Sequence, residues 1–285
     1  MSAATTPTLD VSGTARVPFG RLVTVELRKM TDTRAGRVLL SVTAGLLALL
    51  FGLVLLVVAL TDSGRPSASD WINILSIPVS MLVPVLAITI VTQEWGQRTA
   101  VVTFALEPSR LRIVLAKLIA VIALGVLTVL FALLLGLVGT PLGASLAGES
   151  AEWNATAGDI GWTLLTQVLY LLMGFGFGLL LLNSPAAVAV YYVYVWILEG
   201  GVIAPGILYV LWIAFDWGQA VIPWFSMRIA LLPFQLGGDD GDFSGLDVDL
   251  GIDTLAVARL LVAVLIWVGL PLVLGTMRVM RAELK

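Results

Sequence analysis

QEWGQRTAVVTFALEPSRLRIVLAK, residues 93–117, joins two long apolar runs, Ile72–Thr92 and Ile113–Val138, and its reading decides how the rest of the chain is understood. Each flanking run is long enough to cross about 30 Å of hydrocarbon as a helix. The joining stretch is neither a tight turn nor a polar linker. Glu94, Arg98, Glu107, Arg110, Arg112 and Lys117 are interleaved with Trp95, Val101, Val102, Phe104 and Leu106. Pro108 is its one breaker, and because it lacks an N–H and disfavours helix at Glu107, the chain must turn there. Charge mixed with helix-compatible apolar positions beside a membrane predicts a segment that lies against a surface.

Composition sets the class. The 285 residues are 59% hydrophobic and 12% charged, with a mean hydropathy of +1.02, whereas soluble domains carry about 25% charged residues. An all-α integral membrane protein follows. The absence of cysteine and histidine removes disulfides, thiolate chemistry and imidazole acid–base or haem ligation from this chain. Arginine greatly outnumbers lysine, which points to a GC-rich bacterial genome.

Further runs of spanning length give six expected spans at about 38–60, 72–92, 113–138, 162–182, 186–203 and 255–277. The fifth is ambiguous: only Glu199 is charged between Ala186 and Phe215, and Gly200, Gly201, Pro205 and Gly206 interrupt the run. A span followed by a short re-entrant or interfacial apolar helix is expected there, within an outer segment 204–254. With six spans both termini share a side. That side then holds all basic residues except Arg65, Arg228 and Arg259, so the positive-inside rule puts both termini in the cytoplasm. The expected location is a bacterial plasma membrane, multi-pass.

No secretory h-region precedes residue 37. Residues 1–17, rich in Thr and Ala, are expected to be disordered. Over 18–37, Phe19, Leu22, Val23, Leu27 and Met30 recur at helical spacing, with Glu26, Arg28 and Lys29 interspersed. This predicts an amphipathic helix on the cytoplasmic leaflet; the plainer alternative is a basic orientation signal. Residues 278–285 form a cytoplasmic tail.

Catalytic motifs are missing. There is no HExxH, no GxSxG with triad partners and no GxxxxGK[ST] phosphate loop, so the chain is not expected to be an enzyme. No cofactor is assigned to it. The acidic run Asp239, Asp240, Asp242, Asp247, Asp249 and Asp253 lacks the spacing of a calcium loop and reads as a solvated surface loop. The basic residues are spread along a membrane face, which gives no nucleic-acid footprint. Glu199 could take part in proton coupling, or lie at the outer interface, hydrated or hydrogen-bonded. GFGFG at 174–178 places Gly174 and Gly178 as a GxxxG pair for close helix approach, against either a neighbouring span or a second subunit. Phe175 and Phe177 could line a pathway or simply fill the core.

A basic amphipathic N-terminal helix, six spans, an acid ending the second span and the set Glu94, Arg98, Thr99, Leu106, Pro108, Ser109, Arg110, Ala116, Lys117 together resemble the permeases of ABC-2 type transporters. The layout covers nearly the whole chain, and the motif about 25 residues of it. The resemblance implies that 94–106 is a coupling helix docking on a separate ATP-binding subunit through Glu94, Trp95, Arg98, Thr99, Phe104, Glu107, Pro108 and Arg110. The N-terminal helix would pack beside it. ATP and Mg would be bound by that partner subunit in trans, and a second permease copy or a paralogue would complete the complex. The sparse intramembrane charge suits export of a hydrophobic or amphipathic compound. The rivals are a secondary transporter or channel, and a non-transporting signalling or structural subunit. A connector whose arginines meet lipid phosphates would explain the loop's basic residues but not Glu94 and Glu107.

Overall fold

A computed structural model describes residues 17–61, 64–97, 99, 107, 109–200, 205–235 and 252–282. Among these the chain is helical, apart from an isolated bridge between Gly200 and Pro205. Five helices are long and apolar enough to cross a membrane: α2 (Arg34–Leu60), α3 (Ala68–Gly96), α4 (Arg110–Ala147), α5 (Ala157–Leu181) and α10 (Thr254–Arg281).

Local signals set the helix ends. Ser67 and Asp70 form a reciprocal capping box at the start of α3, as do Thr156 and Asp159 at α5, each satisfying amide donors that the first turn leaves open. The amphipathic helix α1 (Phe19–Asp32) is shorter than the expected 18–37. Thr33 adopts an extended conformation and its hydroxyl caps Gly36 N–H, so α2 starts afresh at Arg34. Met30 is buried in the core and Val23 and Leu27 pack against it, which seats α1 on the spanning helices.

The fifth expected span is the clearest difference. Instead of 186–203, the structure has α6 (Ser184–Leu198), whose second half is a π-turn. At 1.5 Å per residue it measures about 22 Å, short of a full upright crossing. Ser184 Oγ meets Thr92 Oγ1 near the end of α3, while Glu199, just beyond the other end of α6, accepts from Tyr194 and from Tyr170 in the middle of α5. The chain then turns at Gly200, whose φ of 87° suits glycine and where a Cβ would lie 2.0 Å from Gly206 N. Beyond it, α7 (Ile207–Ala214) and α8 (Asp216–Trp224) meet at a 118° bend, and α9 (Met227–Gln235) follows.

Helix α3 is the hub of the bundle, packed on α4, α5 and α6. Its Pro84 deprives the Ser80 carbonyl of the usual i+4 amide, and Tyr191 Oη donates to that oxygen instead at 2.8 Å. Against α5 the approach is close: a Cβ on Gly174 would lie 2.7 Å from Pro84 O, and one on Gly178 3.2 Å from Ile88 O. On the other side of α5, a Cβ on Gly176 would meet Pro271 of α10 at 2.9 Å. The GFGFG motif therefore serves packing within the chain, one helix wedged between two. Phe175 and Phe177 are buried in core clusters.

Contacts gather both chain ends at one end of the bundle. Arg112 donates to Val17 O at 2.7 Å, Arg110 to Val279 O and Ala282 O at 2.8 Å each, and Arg278 to Leu180 O. At the opposite end Arg65 pairs with Glu149 and Glu152, joining the 61–67 and 148–156 loops.

Candidate functional site

Four charges meet beside the loop that opened the sequence reading. Glu26 and Lys29 come from α1, nearly two turns and nearly one turn before its end. Glu94 comes from the last turn of α3, and Lys117 from the third turn of α4. Lys117 Nζ lies 2.8 Å from Glu26 Oε2 and 2.8 Å from Glu94 Oε1, and donates to Ile90 O at 3.2 Å. Lys29 Nζ closes the cluster, 2.8 Å from both Glu26 Oε1 and Glu94 Oε1. Two cations and two anions cancel, so the cluster is neutral as a whole. Lys117 is 5% exposed, Glu26 6% and Glu94 8%; only Lys29, at 31%, keeps real contact with water.

Burial alone would lower the Lys29 pKa, yet the Glu26 and Glu94 carboxylates outweigh it and hold the ammonium above the ordinary lysine value. Desolvated charges are tolerated only when paired and hydrogen-bonded, and removing one leaves the others uncompensated. The cluster is therefore a fastening between α1 and the ends of α3 and α4.

A second fastening lies beside it. Arg112 Nη1 pairs with Glu107 Oε2 at 2.9 Å while its Nη2 holds Val17 O, and Arg110 holds the backbone at 279–282. Glu107 Oε1 also accepts from Ser109 N–H. The returning end of the 97–109 connection is thus bound to both chain termini.

The structure separates the residues expected to face a partner. Glu94 and Trp95 belong to the last turn of α3 rather than to a separate helix over 94–106: Gln97 N–H bonds back to Gln93 O. Glu94 and Glu107 are turned inward and buried, Trp95 packs on the core, and Arg110 is engaged with the backbone at 279–282. Thr99 is exposed, its N–H bonded to Glu94 O at 2.9 Å. Arg98, Phe104 and Pro108 lie outside the described residues. On α1, Arg28 is exposed, Phe19 and Leu22 are half-buried, and Glu26 is buried. Lys117 is the member that sequence reasoning left out of the site. Its signal was present: Glu26, Glu94 and Lys117 are isolated charges at or near the edges of apolar runs, and such charges seek one another.

No family model matches the sequence, and no curated protein matches it either.

The other buried acid, Glu199, is hydrogen-bonded within the chain. Tyr194 Oη donates to its Oε1 at 2.6 Å, Ser226 Oγ at 3.1 Å and Arg228 N–H at 3.0 Å, while Tyr170 Oη donates to Oε2 at 3.1 Å. The Arg228 amide belongs to the first turn of α9, so Glu199 acts as an anionic cap from another element. It fixes the turn at Gly200, whose carbonyl accepts from Arg228 Nη1. Among the described residues no group of three or more carboxylates is placed to hold a metal ion. The aspartates from Asp239 to Asp249 lie outside them.

Proposed function

We propose that this chain is the membrane permease subunit of an ATP-binding cassette exporter of ABC-2 type, in a bacterial plasma membrane with both termini cytoplasmic. In this reading α6 is a short fifth crossing, completed by the α7–α9 segment, and α10 is the sixth. That even count fits the gathering of residues 17 and 282 at one end of the bundle. Two permease copies, identical or paralogous, work with ATP-binding subunits that supply ATP and Mg, and the cargo is hydrophobic or amphipathic.

The observation that carries the reading is the cluster of Glu26, Lys29, Glu94 and Lys117. A load applied to the 97–109 connection by a docked subunit would reach three helices at once, because their ends are pinned together through buried ion pairs. Glu94 and Lys117 then transmit, and the stretch beyond Gly96 docks. Their inward orientation fits transmission better than direct contact with the partner.

The natural absence of cysteine allows a direct test. Gln97→Cys, at an exposed position, should cross-link in native membranes to a P-loop ATPase of the same cell, while Glu149→Cys at the opposite end should not. Cross-linking of neither variant, in membranes where the chain is folded, would remove the docking assignment.

A further inference from the structure

At the end of the bundle away from the charge cluster, a cavity of about 530 Å³ opens between the first halves of α3 and α5, with Asn154 and Gln235 at its sides. That volume falls within the range of small-molecule sites. Its lining departs from the aliphatic surface of the rest of the protein. Asn73, Asn154, Gln167 and Gln235 bring four side-chain amides, Thr163 and Thr166 bring hydroxyls, and Trp162 brings a ring backed by Phe234 at 4.9 Å. Among the described residues no lysine or arginine lines it. The one charged residue among those that do, Asp159, takes Thr156 N–H and Oγ1 on a single oxygen, at 2.7 and 2.9 Å.

The amides are positioned and only partly used. Gln167, 7% exposed, donates Nε2 to Ser76 O at 3.2 Å. Gln235 donates Nε2 to Thr166 Oγ1 at 3.0 Å, and Asn154 Oδ1 accepts Ser69 N–H at 3.0 Å. The oxygens of both glutamines and the amide nitrogen of Asn154 remain for something else. Below it Leu75, Val79, Val129 and Ala132 leave only about 10 Å³, room for about one water, so among the described residues it is a bay and not a pore.

We infer that this bay is a binding site for a neutral, hydroxyl-rich head group, such as a sugar or polyol. Amides offer donors and acceptors to hydroxyls without preferring charge, the Asp159 carboxylate accepts hydroxyl protons and repels anions, and the Trp162 ring covers a C–H face. Phosphate and carboxylate groups find no cation there. Recognition on this side stands whether or not an ATP-binding subunit docks at the other end. Combined with the exporter reading, it makes the polar part of the cargo uncharged.

The test uses the full chain in lipid nanodiscs, freed of glycosidic detergent, titrated with maltose and with glucose 6-phosphate by calorimetry. Maltose should bind, glucose 6-phosphate at least about tenfold more weakly, and Asn73→Leu and Gln167→Leu should each weaken maltose about tenfold or more. Asn73 is exposed and makes no side-chain bond among the described residues, so its variant separates loss of binding from loss of folding. A glycosyl diacylglycerol in the disc that competes with maltose assigns the head group to a lipid, and absence of competition assigns it to a free solute. No maltose binding, binding indifferent to both substitutions, or tighter binding of the phosphate would overturn the site. None of these readouts involves ATP, so a missing ATPase partner leaves them unchanged.

Discussion

Replacing Lys117 by methionine keeps the length and the apolar stem of the side chain and removes its charge. In the native cluster two ammonium groups serve two carboxylates. In Lys117→Met, Lys29 alone faces Glu26 and Glu94, and one negative charge stays uncompensated among groups 6% and 8% exposed. Breaking a buried pair in this way costs about 3–5 kcal/mol. Because Lys29 touches both carboxylates and is itself partly wet, the lower end, about 3 kcal/mol, is the better figure. Hydration of α1 away from the bundle relieves the charge, so the loss should appear as opening of that helix. Met30, 3% exposed beneath α1, reports it. In a Met30→Cys background, thiol labelling of the purified protein should accelerate about 100-fold in Lys117→Met, at 1.4 kcal/mol per factor of ten. Adding Glu94→Gln leaves a neutral Glu26–Lys29 pair and should recover most of the protection. An acceleration below about threefold, or none recovered by the second substitution, would refute the fastening.

Other expectations follow from the same geometry. Gly174→Val must displace the backbone at Pro84 and should cost about 1–3 kcal/mol in thermal unfolding, whereas Gly45→Ala, with nothing within 4 Å, should be neutral or slightly stabilising. Tyr191→Phe leaves Ser80 O, already deprived of its helical donor by Pro84, without a partner and should lower stability by about 1–3 kcal/mol. Glu199→Leu strands three hydroxyl donors and the Arg228 amide; protease cleavage within 205–235 should rise sharply, and Glu199→Gln should lie between it and wild type. The Lys29 pKa is raised by its carboxylate partners, so its contribution is complete below the ordinary lysine value of 10.5 and is lost as pH rises through the higher folded value. Protection of Met30→Cys, with reactivity normalised to an exposed thiol, should therefore be flat from about pH 7 to 9 and fail only in stronger alkali.

Much of the fold was legible because lipid imposes simple rules. Apolar run length located α2 to α5 and α10 to within a few residues at most ends, and capping residues such as Ser67 and Thr156 explain where helices outrun the apolar stretch. The least certain end was that of the fifth apolar run: Gly200, Gly201, Pro205 and Gly206 signal a break followed by a short helix, but only the hydrogen bonds of Glu199 to α5 and α9, distant in sequence, decide that α6 stops at Leu198. The break at Thr33 was hidden for a similar reason: a threonine can continue a helix or cap the next one, and tertiary seating of Met30 chose capping. For the site, Glu26, Lys29 and Glu94 were recognisable as charges out of place. Their sharing of Lys117 was not, because it depends on how α1 lies across α4. The polar bay draws on α3, α5, α9 and the 148–156 loop, so no local pattern announced it.

The central claim, that this chain is moved by ATP bound to another subunit, is tested most directly by ATP hydrolysis in the native complex purified in mild detergent. The account predicts vanadate-sensitive hydrolysis by a co-purifying P-loop subunit. Lys117→Met should uncouple that hydrolysis from the permease's cargo while leaving the subunits associated. A chain that purifies alone, lacks associated ATPase activity and moves solute down an ion gradient would contradict it.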